Sequence, residues 1–310
     1  MIQIFKTTDG LLKENGAACD GAWVHLTAPT RSELEKVSEQ CGVLPDFLQA
    51  ALDEEETARI EREDEQTLIL VDIPVVEPEG TSFVYNTIPL GIIVMEKMVV
   101  TVCLNETTII DDFMESRVRG FDTCKKTRFV FQLLYRTSTK FLQYLRQIDK
   151  ASTQVESALH KSLKNRELIQ MLKLEKSLVY FSTSLKSNEV VLEKMMKTNL
   201  IKRYPDDEDL LEDVIVENKQ AIEMATIYRD ILSGTMDAFA SVISNNLNIV
   251  MKLLTSITII MAVPTMVSSL WGMNLDVPFE NMSGGFGIVT GIALLSTMVV
   301  AFMLWRKKML

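Results

Sequence analysis

The chain has 310 residues, 47% of them hydrophobic and 24% charged, with a formal net charge of -10. An acidic balance of that size argues against nucleic acid as a partner and for cations. Four cysteines without CxxC spacing (Cys19, Cys41, Cys103, Cys124) and two histidines far apart (His25, His160) exclude a disulfide framework and a zinc centre. With no phosphate-binding glycine loop, no Ser/His/Asp grouping and no HExxH segment, nothing in the chain reads as an enzyme.

The opening residues, MIQIFKTTDG, lack a basic start followed by an apolar run, so no cleavable signal is expected. Residues 1–123 alternate strands and helices, which predicts an α/β domain around one sheet. Strand composition marks Ile2 to Phe5, Ala22 to Leu26, Thr67 to Ile73, Pro89 to Val94 and Met98 to Leu104, the last two forming a hairpin at Glu96-Lys97. Thr30 as N-cap with Glu33 at N3 is a capping box for a helix reaching about Gln40, and a short helix is predicted from Pro45 to about Asp53.

Residues 124–203 read as an antiparallel helical hairpin. Lys126 to Leu163 holds neither Pro nor Gly and repeats apolar residues at helical spacing, among them Phe129, Leu133, Phe141, Leu145 and Ile148. Asn165 to Asn199 does the same, with a turn near Lys164-Asn165. Tyr204-Pro205 then interrupts the chain. Asp206 to Asp209 supply an N-cap and an acidic first turn for a helix expected to run to about Trp271, on the order of 100 Å at ~1.5 Å per residue. Its stalk, 206–252, is strongly acidic: from Asp206 to Asn246 ten acids stand against Lys219 and Arg229.

From Leu253 to Leu275 there is no charged residue, enough helix to cross ~30 Å of hydrocarbon, so 253–274 is the first predicted span. Pro264 should kink it. Steps of three and four residues connect Asn248, Met251, Thr255, Thr258, Ala262, Thr265, Ser269 and Gly272 on one face, and extend back through Ser244, Ser241 and Asp237. A period of 3.5 suits a helix that faces copies of itself. Any one of these small residues is explained by close helix packing. Eight in register, between Asn248 and Asn274, favour a water-accessible pore, with lipid or a neighbouring helix against Ile249, Val250, Leu253, Ile257, Ile260, Met261 and Val267. Met251 and Leu254 are candidates for a constriction that closes by dewetting, although core packing explains them equally well.

Residues 275–285 form the expected loop, 286–305 a second span, and 306–310 a basic tail. Arg306, Lys307 and Lys308 follow that span, whereas the loop holds Asp276 and Glu280 and no Lys or Arg. The asymmetry predicts both termini in the cytoplasm and the loop outside. Asp276 and Glu280 either concentrate cations at the mouth or are simply solvated.

Two terminal spans joined by a short loop, the first closed by Gly272-Met273-Asn274, resemble the CorA family of magnesium transporters. Trp23-Val24-His25-Leu26 with Pro29-Thr30, and the run from Lys173 to Phe181, are similar to matching parts of that family. The resemblance implies a homo-oligomer, pentameric in the family, in the cell membrane, and passive passage of hydrated Mg2+. It makes Gly272, Met273 and Asn274 the selectivity filter, the Asn274 carboxamides holding first-shell waters; a C-cap is the simpler role for Asn274. It also implies gating by cytoplasmic Mg2+ held between subunits by Asp213 and, on a short ungapped match, Asp64 and Glu65. The family often carries an acidic tetrapeptide motif in the loop; Asp276-Val277-Pro278-Phe279-Glu280 departs from it, which leaves uptake steering open. A ZntB-like zinc transporter, passage of cobalt or nickel, and a non-conducting membrane-anchored sensor are the alternatives.

Overall fold

A computed structural model describes residues 1–80, 82–161, 165–198, 200–202, 204–274, 278–279, 282, 284–307 and 309. Asp276 and Glu280 lie outside the described residues. The chain separates into two compact units, Met1–Gly234 and Thr235–Leu310.

The first unit is built on seven strands, β1 (Ile2–Thr8), β2 (Leu11–Glu14), β3 (Ala22–Thr27), β4 (Arg59–Glu63), β5 (Gln66–Glu79), β6 (Ser82–Val94) and β7 (Val99–Cys103). Their order is β2-β1-β3-β7-β6-β5-β4, antiparallel except for the parallel pair β3 and β7. Side chains alternate across a strand. Along β5, Leu68 and Leu70 therefore point to one face, where α1 (Arg31–Cys41) and α2 (Pro45–Ala50) contribute Val37, Phe47 and Leu48. Ile69, Val71 and Ile73 point to the other, against α3 (Thr108–Met114), α4 (Lys126–Lys161) and α5 (Asn165–Lys197), which contribute Phe113, Phe129, Leu133, Val191 and Leu192. A sheet covered on both faces explains why its central strands are nearly uniform apolar runs.

The capping box at Thr30 and Glu33 and the Met95–Met98 turn between β6 and β7 form as expected. Three features differ from expectation. The strands β2 and β4 and the short helix α3 form from stretches with weak periodicity, and β5 continues through Pro74 and Pro78 to Glu79. The prolines are tolerated because β4 pairs only with Gln66 to Leu70, so β5 is an edge strand beyond that point. Gly91 on β6 shows how tightly the layers meet: a side chain there would stand 2.5 Å from the Ala51 Cβ.

Trp23 organises the interior. Its ring meets Phe5, Phe113, Phe121 and Phe129 at centroid distances of 5.1–6.4 Å, and its indole Nε1 donates to the Thr101 hydroxyl at 2.8 Å. The same hydroxyl lies 2.8 Å from His25 Nδ1, and the Thr27 hydroxyl 2.9 Å from Nε2. Across the sheet, the Asn188 amide on α5 both accepts from Asp72 N and donates to Asp72 O, at 2.9 and 2.8 Å. Burial raises the Asp72 carboxyl above its usual range, and a hydrogen bond with Ser184 opposes the shift.

Burial holds the His25 imidazole down to about 4. The unfolded ring takes a proton near 6.5 and the folded one does not until about 4, so its contribution is complete above 6.5 and is lost as pH falls between those values. That loss is about 3 kcal/mol at ~1.36 kcal/mol per pH unit. Unfolding free energy measured from pH 7 to 4 should fall along this slope, and His25→Gln should flatten it.

Candidate functional site

One helix, α6 (Pro205–Trp271, 67 residues), carries Asp213 and the stripe from Asn248 to Ser269, and Gly272, Met273 and Asn274 follow directly after it. Its first turns are fastened to the first unit. The Thr127 hydroxyl on α4 donates to Lys202 O at 2.6 Å, Arg128 Nη1 pairs with Asp207 Oδ1 at 3.4 Å, and the Asn218 amide donates to Leu185 O of α5 at 3.1 Å. Leu211, Val214, Ala221 and Ala225 are buried between these ties, at the 3.5-residue spacing of a packed helix face.

Asp213 stands on the opposite, exposed side of α6. Asp64 and Glu65 form the two-residue turn of the β4–β5 hairpin, with φ of 45° and 62°. Both angles are those of a type I′ turn, which favours Gly, and Glu has no local compensation for that conformation. Among the described residues, no three His, Cys, Asp or Glu side chains of one chain converge as a metal site, so Asp213, Asp64 and Glu65 are not brought together within a single chain.

In the second unit α6 continues through Pro264 to Trp271, and α7 (Gly285–Arg306) follows. Both are long and apolar enough to cross a membrane, and their apolar side chains are exposed rather than packed in a core, as with Met261 at 68% and Phe286 at 88%. A soluble chain would not leave two such surfaces in water. Ser256, fully buried, donates its hydroxyl to Met309 O at 2.9 Å, which ties the segment after α7 to α6.

Four of the stripe residues, Thr258, Ala262, Thr265 and Ser269, line one groove along α6. Met261, whose spacing suits lipid or a neighbouring helix, and Met266 border it too. Asn248, Met251, Leu254, Thr255, Gly272, Met273 and Asn274 are all exposed. The hydroxyls of Thr255, Thr258 and Thr265 donate to Met251 O, Leu254 O and Met261 O at 2.8, 2.8 and 2.9 Å. Each spends its single proton on its own helix and presents lone pairs outward. Gly272 N donates to Ser268 O at 2.9 Å as the last helical bond, and the Trp271 indole donates to Pro278 O at 2.9 Å. Spacing could not reveal the Trp271 and Ser256 contacts, though an indole N–H at a helix end calls for an acceptor.

An α/β domain, a long helical hairpin, and one helix shared between that domain and a pair of apolar spans define an integral membrane protein with a large water-facing part. The chain belongs to the family of CorA-like Mg2+ transporter proteins, whose model matches residues 20–308. It is 28% identical over 295 residues to the cobalt/magnesium transport protein CorA of Methanocaldococcus jannaschii, covering 92% of this chain and 90% of that one. To the protein of the same name from Thermotoga maritima it is 31% identical over 146 residues, 43% of this chain and 41% of that one. The complete structure of the CorA magnesium transporter from M. jannaschii matches with a TM-score of 0.84 at 23% identity over 98% of this chain and 96% of the other, which shows a common fold.

Removing the Arg128 charge leaves Asp207 buried without its ion partner, at a cost of about 1–3 kcal/mol. Arg128→Met should therefore lower the thermal unfolding midpoint, and the Arg128→Met, Asp207→Asn pair should recover part of the loss.

Proposed function

We propose that this chain, as a symmetric homo-oligomer, carries Mg2+ across the cell membrane through a pore lined by the α6 stripe, and that cytoplasmic Mg2+ closes it. The observation that carries the reading is the direction of the threonine hydrogen bonds. Mg2+ holds six oxygens at ~2.1 Å and releases water reluctantly, so its waters are best met by hydrogen-bond acceptors rather than by stripping carboxylates. The hydroxyls of Thr255, Thr258 and Thr265 are acceptors of that kind, and none of the stripe from Asn248 to Gly272 is charged. Asn274, two residues beyond the last member of the stripe and past the helix end, offers carboxamide oxygens for the first-shell waters, one from each subunit. Met251 and Leu254 are the apolar constriction at the other end.

Passage needs no energy source: a divalent cation gains roughly 4.6 kcal/mol per 100 mV on entering a negative-inside cell, twice the single-charge value. The relatives named for cobalt and magnesium transport extend the reading to Co2+. The membrane orientation is the one that places Arg306 and Lys307 inside.

Regulation belongs to Asp213 on the exposed side of α6 and, in a neighbouring subunit, to Asp64 and Glu65. Carboxylates brought together across a subunit boundary repel until a divalent cation bridges them, so Mg2+ favours the arrangement in which they meet. The left-handed turn supports this: Gly would suit the Glu65 backbone better, and the acid is accounted for by what its carboxylate does.

Flux of Mg2+, Co2+, Ni2+ and Zn2+ into liposomes holding the purified protein tests the transport reading. Asn274→Ala should reduce Mg2+ flux to the protein-free background; undiminished flux would leave the membrane-anchored sensor as the better account. Asp213→Asn should raise the internal Mg2+ concentration that halves the flux on the order of ten-fold. Glu65→Gly should weaken the same inhibition while the thermal midpoint holds or rises.

A further inference from the structure

We propose that Trp271 and Gly285 are positioning residues that fix the Gly272-Met273-Asn274 turn by clamping the Pro278-Phe279 corner of the loop between the two apolar helices. The proposal rests on the reading of Asn274 as the amide that meets the ion, and it concerns how that amide is aimed.

Helix α6 gives its last backbone bond at Gly272, so beyond it the backbone no longer determines where Asn274 points. The Trp271 indole supplies the missing constraint. Its Nε1 donates to Pro278 O at 2.9 Å, which closes a ring from the last helical residue, through Asn274, back onto that same residue. The carbonyl one residue further on is held from the opposite side. Phe279 adopts a left-handed backbone, φ 74°, and its oxygen accepts from Met282 N at 3.3 Å. That oxygen lies so close over Gly285, the first residue of α7, that a Cβ there would overlap it. Gly285 is itself buried and donates its N–H to Met282 O at 3.0 Å.

Two adjacent carbonyls are thus fixed by different chemistries, Pro278 O by a hydrogen bond from α6 and Phe279 O by close approach to a residue that must lack a side chain. A tryptophan at a membrane boundary is accounted for by its amphipathic ring alone. Its ring does not require Nε1 to reach a loop carbonyl, and it places no demand on Gly285. Both contacts follow if the loop must be held in one conformation. An amide that is already aimed loses little freedom on meeting the hydrated ion, which is where preorganisation enters affinity.

The test uses the full-length protein in liposomes containing a Mg2+-sensitive dye. Trp271→Phe keeps an aromatic ring and removes the N–H donor together with part of the indole's volume. The half-saturating Mg2+ concentration should rise roughly three- to ten-fold, the worth of one hydrogen bond, with maximal flux little changed and the ratio of Mg2+ to Ca2+ flux reduced. Gly285→Ala should shift both quantities in the same direction and further; if it fails to assemble, Trp271→Phe decides alone. Wild-type half-saturation and ion ratio in Trp271→Phe, alongside complete loss of flux in Asn274→Ala, would overturn the clamp and leave the filter standing. Flux retained by Asn274→Ala would remove the filter reading and the clamp with it.

Discussion

A peptide backbone can leave water only if its own N–H and C=O groups satisfy one another, and an unbroken α-helix does this along its whole length. Helix α6 depends on that property. Pro205 to Trp271 form one helix that begins among the packed side chains of the α/β unit and ends in an apolar span. The buried Leu211 and Val214, the Arg128–Asp207 pair and the Asn218 amide fix the first turns of α6 against α4 and α5.

The α/β unit is the fixed partner in that arrangement. Seven strands, the central ones buried on both faces, with Trp23 and four phenylalanines interlocked at the centre, resist local adjustment because close-packed interiors deform by discrete rearrangement. The polar groups admitted to this interior, His25, Thr101, Asp72 and Asn188, have defined hydrogen-bond partners, so they add specificity of register without loosening the layers. Flexibility is left to the places where strands end in exposed turns. The acidic β4–β5 turn, with Asp64 and Glu65 both exposed, is one of these.

How much of this was legible in the residues varies with the range of the interaction. Long helices declared themselves, because periodicity accumulates over many turns: α4 and α5, which hold neither Pro nor Gly, and α6 begin and end within about two residues of expectation. The capping box at Thr30 is a contact within four residues and was equally plain. The strands β2 and β4 were not, since each is held by pairing with a neighbour rather than by its own alternation, and the prolines of β5 disguised an edge. At the candidate site the stripe from Asn248 to Gly272 was visible as a pattern. The hydroxyl directions, the reach of Trp271 to Pro278 and the crowding of Gly285 depend on backbone positions that no spacing encodes.

The threonines of α6 have given their only protons to their own backbone. At Thr255, Thr258 and Thr265 the hydroxyl lone pairs face outward, which suits the outward-pointing hydrogens of water around a metal ion better than chloride or phosphate. These hydroxyls carry no formal charge and do not titrate in the range of physiological pH.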